Sequence, residues 1–302
     1  MQTATDRQDM PTGTLVRATL CGGEARVLLC DVTRMARAAR EIHQASAVCT
    51  AAMGRAIAAA AIMGAQLKGE EESLTMTLRG DGPASPLVAV TRAGAVKVMI
   101  GQPAVELPLR DGRLDVGGAL GRKGVLGVVR DLGFGEPYTA QVPLVSGEVG
   151  EDVALYYTTS EQTPSLCALG VLQGVEEVRA AGGILVQAMP DCSEETLSTL
   201  ELRSQLFTGL SAMLEEQTPA QVILRCFDGL APEILEELPI RLACDCDRAR
   251  IERALISVGA RELRAMIDEQ HGAEVGCHFC GRKYVFSEAE LEALLAAAQS
   301  VQ

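Results

Sequence analysis

Residues 73–83, SLTMTLRGDGP, set the architecture of the N-terminal part of the chain. Leu74, Met76 and Leu78 alternate with Thr75, Thr77 and Arg79, the period of a strand with one buried face, and Asp81-Gly82 supplies a turn. The pattern repeats downstream. Leu87–Val90, Val96–Ile100, Val105–Leu109, Val125–Val129 and Ala140–Val145 read as further strands, and Asp111-Gly112 is a second turn signal. Short consecutive strands joined by turns of this kind predict a mostly antiparallel sheet.

Working outward, the sheet region is flanked by helices. On the N-terminal side, Leu15-Val16 and Ala25–Cys30 are short β-type stretches. Thr33 reads as a helix N-cap, and an Ala-, Ile- and Met-rich helical pattern runs from there to Lys68 with a break expected near Gly54. Met53 and Met63 lie in it as core-packing residues. On the C-terminal side come a helix at Val149–Tyr157 and a strand at Gly183–Gln187. Residues 1–190 are thus expected to form one α+β core domain, with 1–12 a polar, flexible tail.

Composition shifts after Pro190. Residues 191–239 hold ten acidic side chains and two basic ones, Arg203 and Arg225. Three short helices are predicted. The first starts at Ser193 and carries Leu197, Leu200, Leu206, Leu210 and Leu214; the second has Thr218 as N-cap and ends at Gly229; the third runs from Pro232 to Pro239. Isolated helices below about 12–15 residues are marginal, so this helical linker depends on a support, either as an ordinary subdomain or as a conditionally folded segment.

Residues 240–302 form a small C-terminal α+β unit in prospect. Asp247 can cap a helix bearing Ile251, Leu255 and Ile256; Ala260–Gln270 is a second helix; Val275–Cys277 and Tyr284–Phe286 are short strands. Ser287 and Glu290 form a capping box for a last helix.

Composition excludes several function classes. The net charge of −13 repels phosphate backbones, and residues 241–302 are themselves net acidic, so nucleic acid is not an expected partner. A membrane span and a signal peptide are not expected either, because Met1–Thr12 is polar and no long unbroken apolar run stands out. The chain is therefore expected to be cytoplasmic. Its ten cysteines, in a reducing compartment, do not read as a disulfide framework.

Four of those cysteines read as a metal site. Cys244-Asp245-Cys246 is followed thirty residues later by Cys277-His278-Phe279-Cys280. Two close pairs separated by a compact insert are what tetrahedral S4 ligation needs, with Gly276 and Gly281 beside the second pair to let the backbone curl. Four thiolates with no open position suit one zinc ion per chain. His271 and His278 are the alternative ligands, and His271 also fits a helix C-terminus. Catalysis is not indicated: a deaminase would need His-x-Glu before Pro-Cys-x-x-Cys, and Gly276 stands where that proline would be. His43 is the only histidine before residue 271 and reads as a packing residue. No Gly-x-x-x-x-Gly-Lys-Ser/Thr loop occurs. Cys21, Cys30, Cys49, Cys167, Cys192 and Cys226 lack metal spacing and read as small buried apolar residues. A structural zinc and a thiol switch remain, and the Cys-x-Cys pair favours the switch.

With those motifs in place, the chain resembles the 33 kDa heat-shock chaperonin family (heat shock protein 33) over nearly its whole length. The Cys-x-Cys and Cys-x-x-Cys pairs, LTMTLRGDGP at 74–83, YYTTSEQTPS at 156–165 and AAGGILVQ at 180–187 carry the resemblance. It implies a redox-regulated holdase chaperone that uses no ATP and is not an enzyme. In that family pattern the protein is zinc-bound and inactive when reduced. Activation goes through disulfides Cys244–Cys246 and Cys277–Cys280, zinc release and unfolding of a metastable linker, 191–239, between the core domain, 1–190, and the redox domain, 240–302. Partners implied are unfolding client proteins and a second copy of the chain in an active homodimer. Cys192 and Cys226 stand outside the switch pattern. The other class open to a thiol switch is a redox sensor that releases one specific regulatory partner.

Overall fold

The computed structural model describes residues 10–175 and 177–300, the last two of these by backbone alone. It is α+β and divides into two compact units, Met1–Ala243 and Cys244–Gln302.

The first unit is built on one ten-stranded sheet. In chain order its elements are β1 (Thr12–Leu20), β2 (Ala25–Asp31), α1 (Thr33–His43), α2 (Ala47–Gly64), β3 (Ser73–Gly80), β4 (Leu87–Arg92), β5 (Ala95–Ile100), α3 (Val116–Leu120), β6 (Gly124–Asp131), β7 (Tyr138–Pro143), α4 (Gly150–Thr159), β8 (Ser165–Gln173), β9 (Val178–Ala188), α5 (Glu194–Arg203), a 3₁₀ segment (Ser204–Gly209), α6 (Leu210–Glu216), α7 (Pro219–Cys226) and β10 (Glu233–Leu242). The strand order is β7-β6-β3-β4-β5-β10-β1-β2-β9-β8. Every pairing is antiparallel except that of β10 with β5, which covers only Arg241 with Ala95 and Leu242 with Val96.

Burial follows the alternation read from 73–83. Leu74, Met76 and Leu78 are fully buried and join a large core around α2. Helix α2 is buried on nearly all sides, as its uniformly apolar sequence requires. It is long and apolar enough to cross a membrane, contrary to expectation, but 83% of that window is buried inside the fold, so it is a core helix. A second apolar core lies elsewhere in the unit. There Val16, Ala18, Leu20, Val27, Leu29 and Ile184 of β1, β2 and β9 meet Phe207, Leu210, Leu214, Val222, Ile223 and Phe227 of the linker helices. These strands are apolar at neighbouring positions because both sets of side chains are covered.

Several expected elements differ. The helix break falls at Gln44–Ser46, not at Gly54: Gln44 takes a left-handed φ of 49° and Ser46 caps α2 by accepting from the Cys49 amide. Gly54 is interior to α2, where an added Cβ would lie 2.7 Å from Val171. Thr33 is the first helical residue and Val32 the cap. Val105–Leu109 is not a strand; Pro103 and Pro108 interrupt the amide donors, and the Val105 carbonyl accepts from the Ser46 hydroxyl instead (2.5 Å). Strand β8 was not anticipated.

The largest correction concerns the linker. Pro232–Pro239 is not a third helix. Residues 233–242 form β10, paired to β1 from Thr12↔Arg241 to Thr19↔Glu233, with alternating burial. Pro239 is tolerated because β5 pairs only beyond it, at Arg241 and Leu242. The first predicted linker helix is divided into α5, the 3₁₀ segment and α6. Of the expected tail, residues 1–9 lie outside the described residues; Pro11 already accepts from the Leu242 amide (2.8 Å) and Thr12 is in β1.

Linker helix α6 sits where the sheet has lost side chains. A Cβ on Gly182 would collide with the Cys30 carbonyl and with Leu214. Gly182→Ala is therefore expected to cost about 1–3 kcal/mol, read as a lower urea midpoint with unchanged slope; an unchanged midpoint would show that α6 is not seated on this groove.

Candidate metal centre

The second unit places its two cysteine pairs on short local frames. It comprises α8 (Arg248–Val258), α9 (Ala260–Gln270), β11 (Gly272–Gly276), β12 (Lys283–Ser287) and α10 (Glu288–Ser300), with β11 and β12 in an antiparallel hairpin. Cys277–Cys280 is the tip of that hairpin. The Cys277 amide donates to the Arg282 carbonyl (2.9 Å) and the Gly281 amide to the Cys277 carbonyl (2.8 Å). Gly281 has φ 69°, the left-handed conformation this turn needs, whereas Gly276 is ordinary strand backbone. Cys244 and Cys246 precede α8, whose first turn is capped by the Asp247 carboxylate accepting from the Arg250 amide (2.7 Å). Arg248 ties the two frames together. Its guanidinium donates to Val285 O (3.0 Å), pairs with Glu290 (2.6 Å) and lies 4.2 Å from the centre of the Phe286 ring. The expected cap on α10 is present, since Glu290 accepts from the Ser287 amide and hydroxyl at 2.8 Å.

The four sulfurs come together. All lie within 4.8 Å of one another, with Cys244 Sγ 3.7 Å from Cys277 Sγ and Cys246 Sγ 3.4 Å from Cys280 Sγ. A tetrahedral ion with bonds of about 2.3 Å requires sulfur separations of about 3.8 Å. The donor set and spacing therefore fit a closed S4 metal site. Both of these contacts cross between the pairs, and all four cysteines are free thiols.

Electrostatics give the same reading. Burial pushes the Cys244 thiol up, and burial with the neighbouring thiols pushes Cys280 up to about 11. At Cys277 burial acts upward too, but amides of Phe279 and Cys280 outweigh it and hold this thiol below its ordinary range. One thiolate is thus prepared, while Cys244 and Cys280 need a cation beside them to ionise. Tyr284 donates its hydroxyl to Cys246 Sγ (3.2 Å), a supporting contact that the cysteine spacing gave no sign of.

Neither histidine alternative joins the cluster. His271 is the left-handed C-cap of α9, 3.4 Å from Glu288. Of the six remaining cysteines, Cys30, Cys49 and Cys226 are buried, and Cys21, Cys167 and Cys192 are half-buried. None belongs to a metal-capable group among the described residues. His43 faces the Val98 carbonyl at 3.1 Å, as a packing residue would.

A ten-stranded sheet domain followed by a small unit whose four gathered thiols could hold one metal ion defines the class of protein. Comparison with known proteins supplies the particular family. The Hsp33 protein family model matches residues 13–287. The 33 kDa chaperonin of Clostridioides difficile (strain 630) is 40% identical over 284 residues, covering 93% of this chain and 98% of the relative. That of Ruminiclostridium cellulolyticum is 43% identical over 281 residues, 92% and 96% of the two chains. The crystal structure of the 33 kDa chaperonin (heat shock protein 33 homolog) from Thermotoga maritima superposes with a TM-score of 0.85 at 35% identity, covering 96% of this chain and 99% of that one. The chain belongs to the Hsp33 family.

Changing any one of Cys244, Cys246, Cys277 and Cys280 to Ser should abolish stoichiometric metal in the purified reduced protein, while Cys192→Ser and Cys226→Ser keep it. Tyr284→Phe, which keeps all four sulfurs, should weaken metal affinity about 10- to 100-fold in competition with a chromophoric chelator; equal affinity would make the hydroxyl contact incidental.

Proposed function

We propose that this protein is a redox-regulated holdase chaperone of the bacterial cytoplasm, with a zinc-thiolate centre as its sensor. The observation that carries the reading is the gathering of four sulfurs within 4.8 Å on a small separate unit, in a chain whose relatives are named chaperonins.

In the reduced state Cys244, Cys246, Cys277 and Cys280 would hold one zinc ion. The bound ion supplies charge neutralisation for the thiolates and folding energy for the unit, on the order of 10–16 kcal/mol for such sites. Domains of this size are stable by only about 5–15 kcal/mol. An oxidant such as hydrogen peroxide takes two electrons from each sulfur pair and is reduced to water. Each pair of thiolates forms one S–S bond, Cys244–Cys246 and Cys277–Cys280, while the peroxide takes up two protons from solvent per bond and leaves as two waters, and the sulfurs no longer ligate. The unit then loses its main support. The linker segment 193–228 separates from the sheet, uncovering Val16, Val27, Leu29 and Ile184 on one side and Phe207, Leu210, Leu214 and Phe227 on the other. That surface binds unfolding clients, without ATP or catalysis, in an active homodimer. The acidic linker keeps the open form in solution and away from nucleic acid.

Light scattering of an unrelated, thermally unfolding protein tests this. Peroxide-treated protein at raised temperature should suppress aggregation at near-stoichiometric ratio, the reduced protein should not, and a reductant should restore the off state. Suppression confined to a single partner protein would mark a specific sensor instead. The variant with Cys244→Ser and Cys246→Ser should be at least partly active under full reduction, because too few ligands remain. Inactivity of that variant while metal-free would mean that the disulfides themselves create the client surface. Hydrogen exchange should find 193–228 protected when reduced and fast-exchanging when oxidised, with β10 the more persistent of the two.

A further inference from the structure

The sheet face that carries α2 holds, beside the C-terminus of that helix, a cleft of about 420 Å³. Arg17 of β1 and Arg26 and Leu28 of β2 line it from the sheet, and residues 65–68 line it from the chain that follows α2. The strand residues share one face. Arg17 stands opposite Leu28 in the β1–β2 register and Arg26 opposite Thr19, and Leu28 belongs to the core around α2. Arg17 and Arg26 are therefore diagonal neighbours, about 7–8 Å apart at the backbone. With Lys68 they put three cations around the cleft, and no carboxylate lines it. Arg17 is neutralised, because it pairs with Glu236 at 2.5 Å and donates to the Ala65 carbonyl. Arg26 is not. It is half-buried, and it donates at 2.8 Å to Gln187 Oε1 and Gln66 Oε1, neutral acceptors that leave its charge and its other N–H donors unmatched. Among the described residues no carboxylate pairs with Arg26 or with the exposed Lys68; Glu72 is engaged by the amides of Lys68 and Gly69. Burial lowers the Arg26 pKa, Tyr157 opposes that, and the Arg17 charge adds to it.

We propose that this cleft binds one phosphate dianion, free or as the phosphoryl end of a larger molecule, between Arg26 and Lys68. A half-buried guanidinium held only by neutral acceptors, with a second arginine beside it, favours an anion, and its fork matches two oxygens of a tetrahedral oxyanion. A dianion answers two unpaired cations where chloride answers one. The fork is also held in place from behind. Gln66 donates to the Tyr157 hydroxyl of α4 (2.5 Å), and the buried Gln187 donates to the Ser165 hydroxyl of β8 (2.8 Å). Fixed donors of this kind spend little on ordering when a ligand arrives. The site uses β1, β2 and the chain after α2 and no residue of the linker helices, so it does not rest on the chaperone reading.

The probe is inorganic phosphate, titrated into the full reduced chain at constant ionic strength in chloride and followed by NMR at the backbone amides and the arginine Nε–H groups. Saturable shifts at Arg26 and in 65–68 are expected. Arg26→Gln should weaken binding about tenfold or more, the loss of one charge-assisted pair, and Arg26→Lys, which keeps the charge without the fork, should fall between the two. Lys68→Gln alters an exposed side chain, keeps the fold whatever happens in the Arg26 variants, and should weaken binding about two- to fivefold. Arg225→Gln removes the same charge from α7 and should change nothing, which separates the site from the overall field of the protein. Phenyl phosphate distinguishes the sources: tighter binding than phosphate assigns the site to the phosphoryl end of a larger molecule, and equal or weaker binding assigns it to free phosphate. Shifts that do not saturate, an affinity that Lys68→Gln leaves unchanged, or a loss shared equally by Arg225→Gln overturns the site.

Discussion

The apolar surface that β1, β2 and β9 present to the linker has to be covered, and the segment 193–228 covers it. Phe207, Leu210, Leu214, Val222, Ile223 and Phe227 are all buried against those strands. Each buried side chain of this kind stabilises by about 1.5–3 kcal/mol as an upper estimate. The α-helices of the segment span 10, 7 and 8 residues, too short to persist alone. Segment and sheet therefore depend on each other. Both ends of the segment converge on one turn. Glu24 accepts from the Ser193 amide and hydroxyl (2.8 and 2.6 Å), the Met189 amide donates to the Glu24 carbonyl (2.8 Å), and the Cys21 amide donates to the Leu230 carbonyl (2.8 Å). A flap hinged at two neighbouring points can lift while β9 stays paired to β2 and β10 to β1, and its return costs little loop-closure entropy.

Polar ties contribute little to holding that flap. Arg179 makes a bidentate pair with Glu215 at 2.7 Å, but both side chains are partly exposed, so its contribution is below about 1 kcal/mol. Arg203 donates to the carbonyls of Cys226 (2.5 Å) and Asp228 (2.7 Å), which joins α5 to the end of α7 within the segment and does not tie it to the sheet. What positions the segment is shape, above all the bare backbone at Gly182 and the approach of Ser211 to Gly170. A seat made of apolar area and close fit has few specific bonds to break. It leaves two sticky faces when it opens.

The sequence showed this arrangement unevenly, for physical reasons. Alternation in 73–78 was legible because that strand has one covered face. Strand β8, SLCALGVLQ, has every residue half-buried, so no period of two appears in it. In EILEELPIRL, strong helix formers between prolines imitate a short helix, and pairing with β1 overrides that local preference. The four cysteines were legible because each pair is set by a local turn. Tyr284 and Arg248 support the centre through tertiary approach, which spacing does not encode. The glycine groove under α6 and the cleft beside Arg26 are likewise products of elements distant in sequence.

The second unit differs from the first in what holds it together. Its apolar core is small, centred on Leu255, Leu263, Ile267, Phe286, Leu291 and Leu295. A domain of about 60 residues buries too little surface to be stable by a wide margin. Its other supports, such as the Arg250–Asp245 and Lys283–Glu274 pairs, are exposed and weak. The sulfurs are the one place where a large free energy can enter, and they join the chain before α8 to the hairpin after α9. The core that α2 forms on the sheet of the first unit contains none of these four thiols. A switch that unfolds one part and preserves the other requires that asymmetry. Placing four thiols in the part with the smaller core makes their oxidation state, in the proposed reading, the variable that decides whether that part is folded.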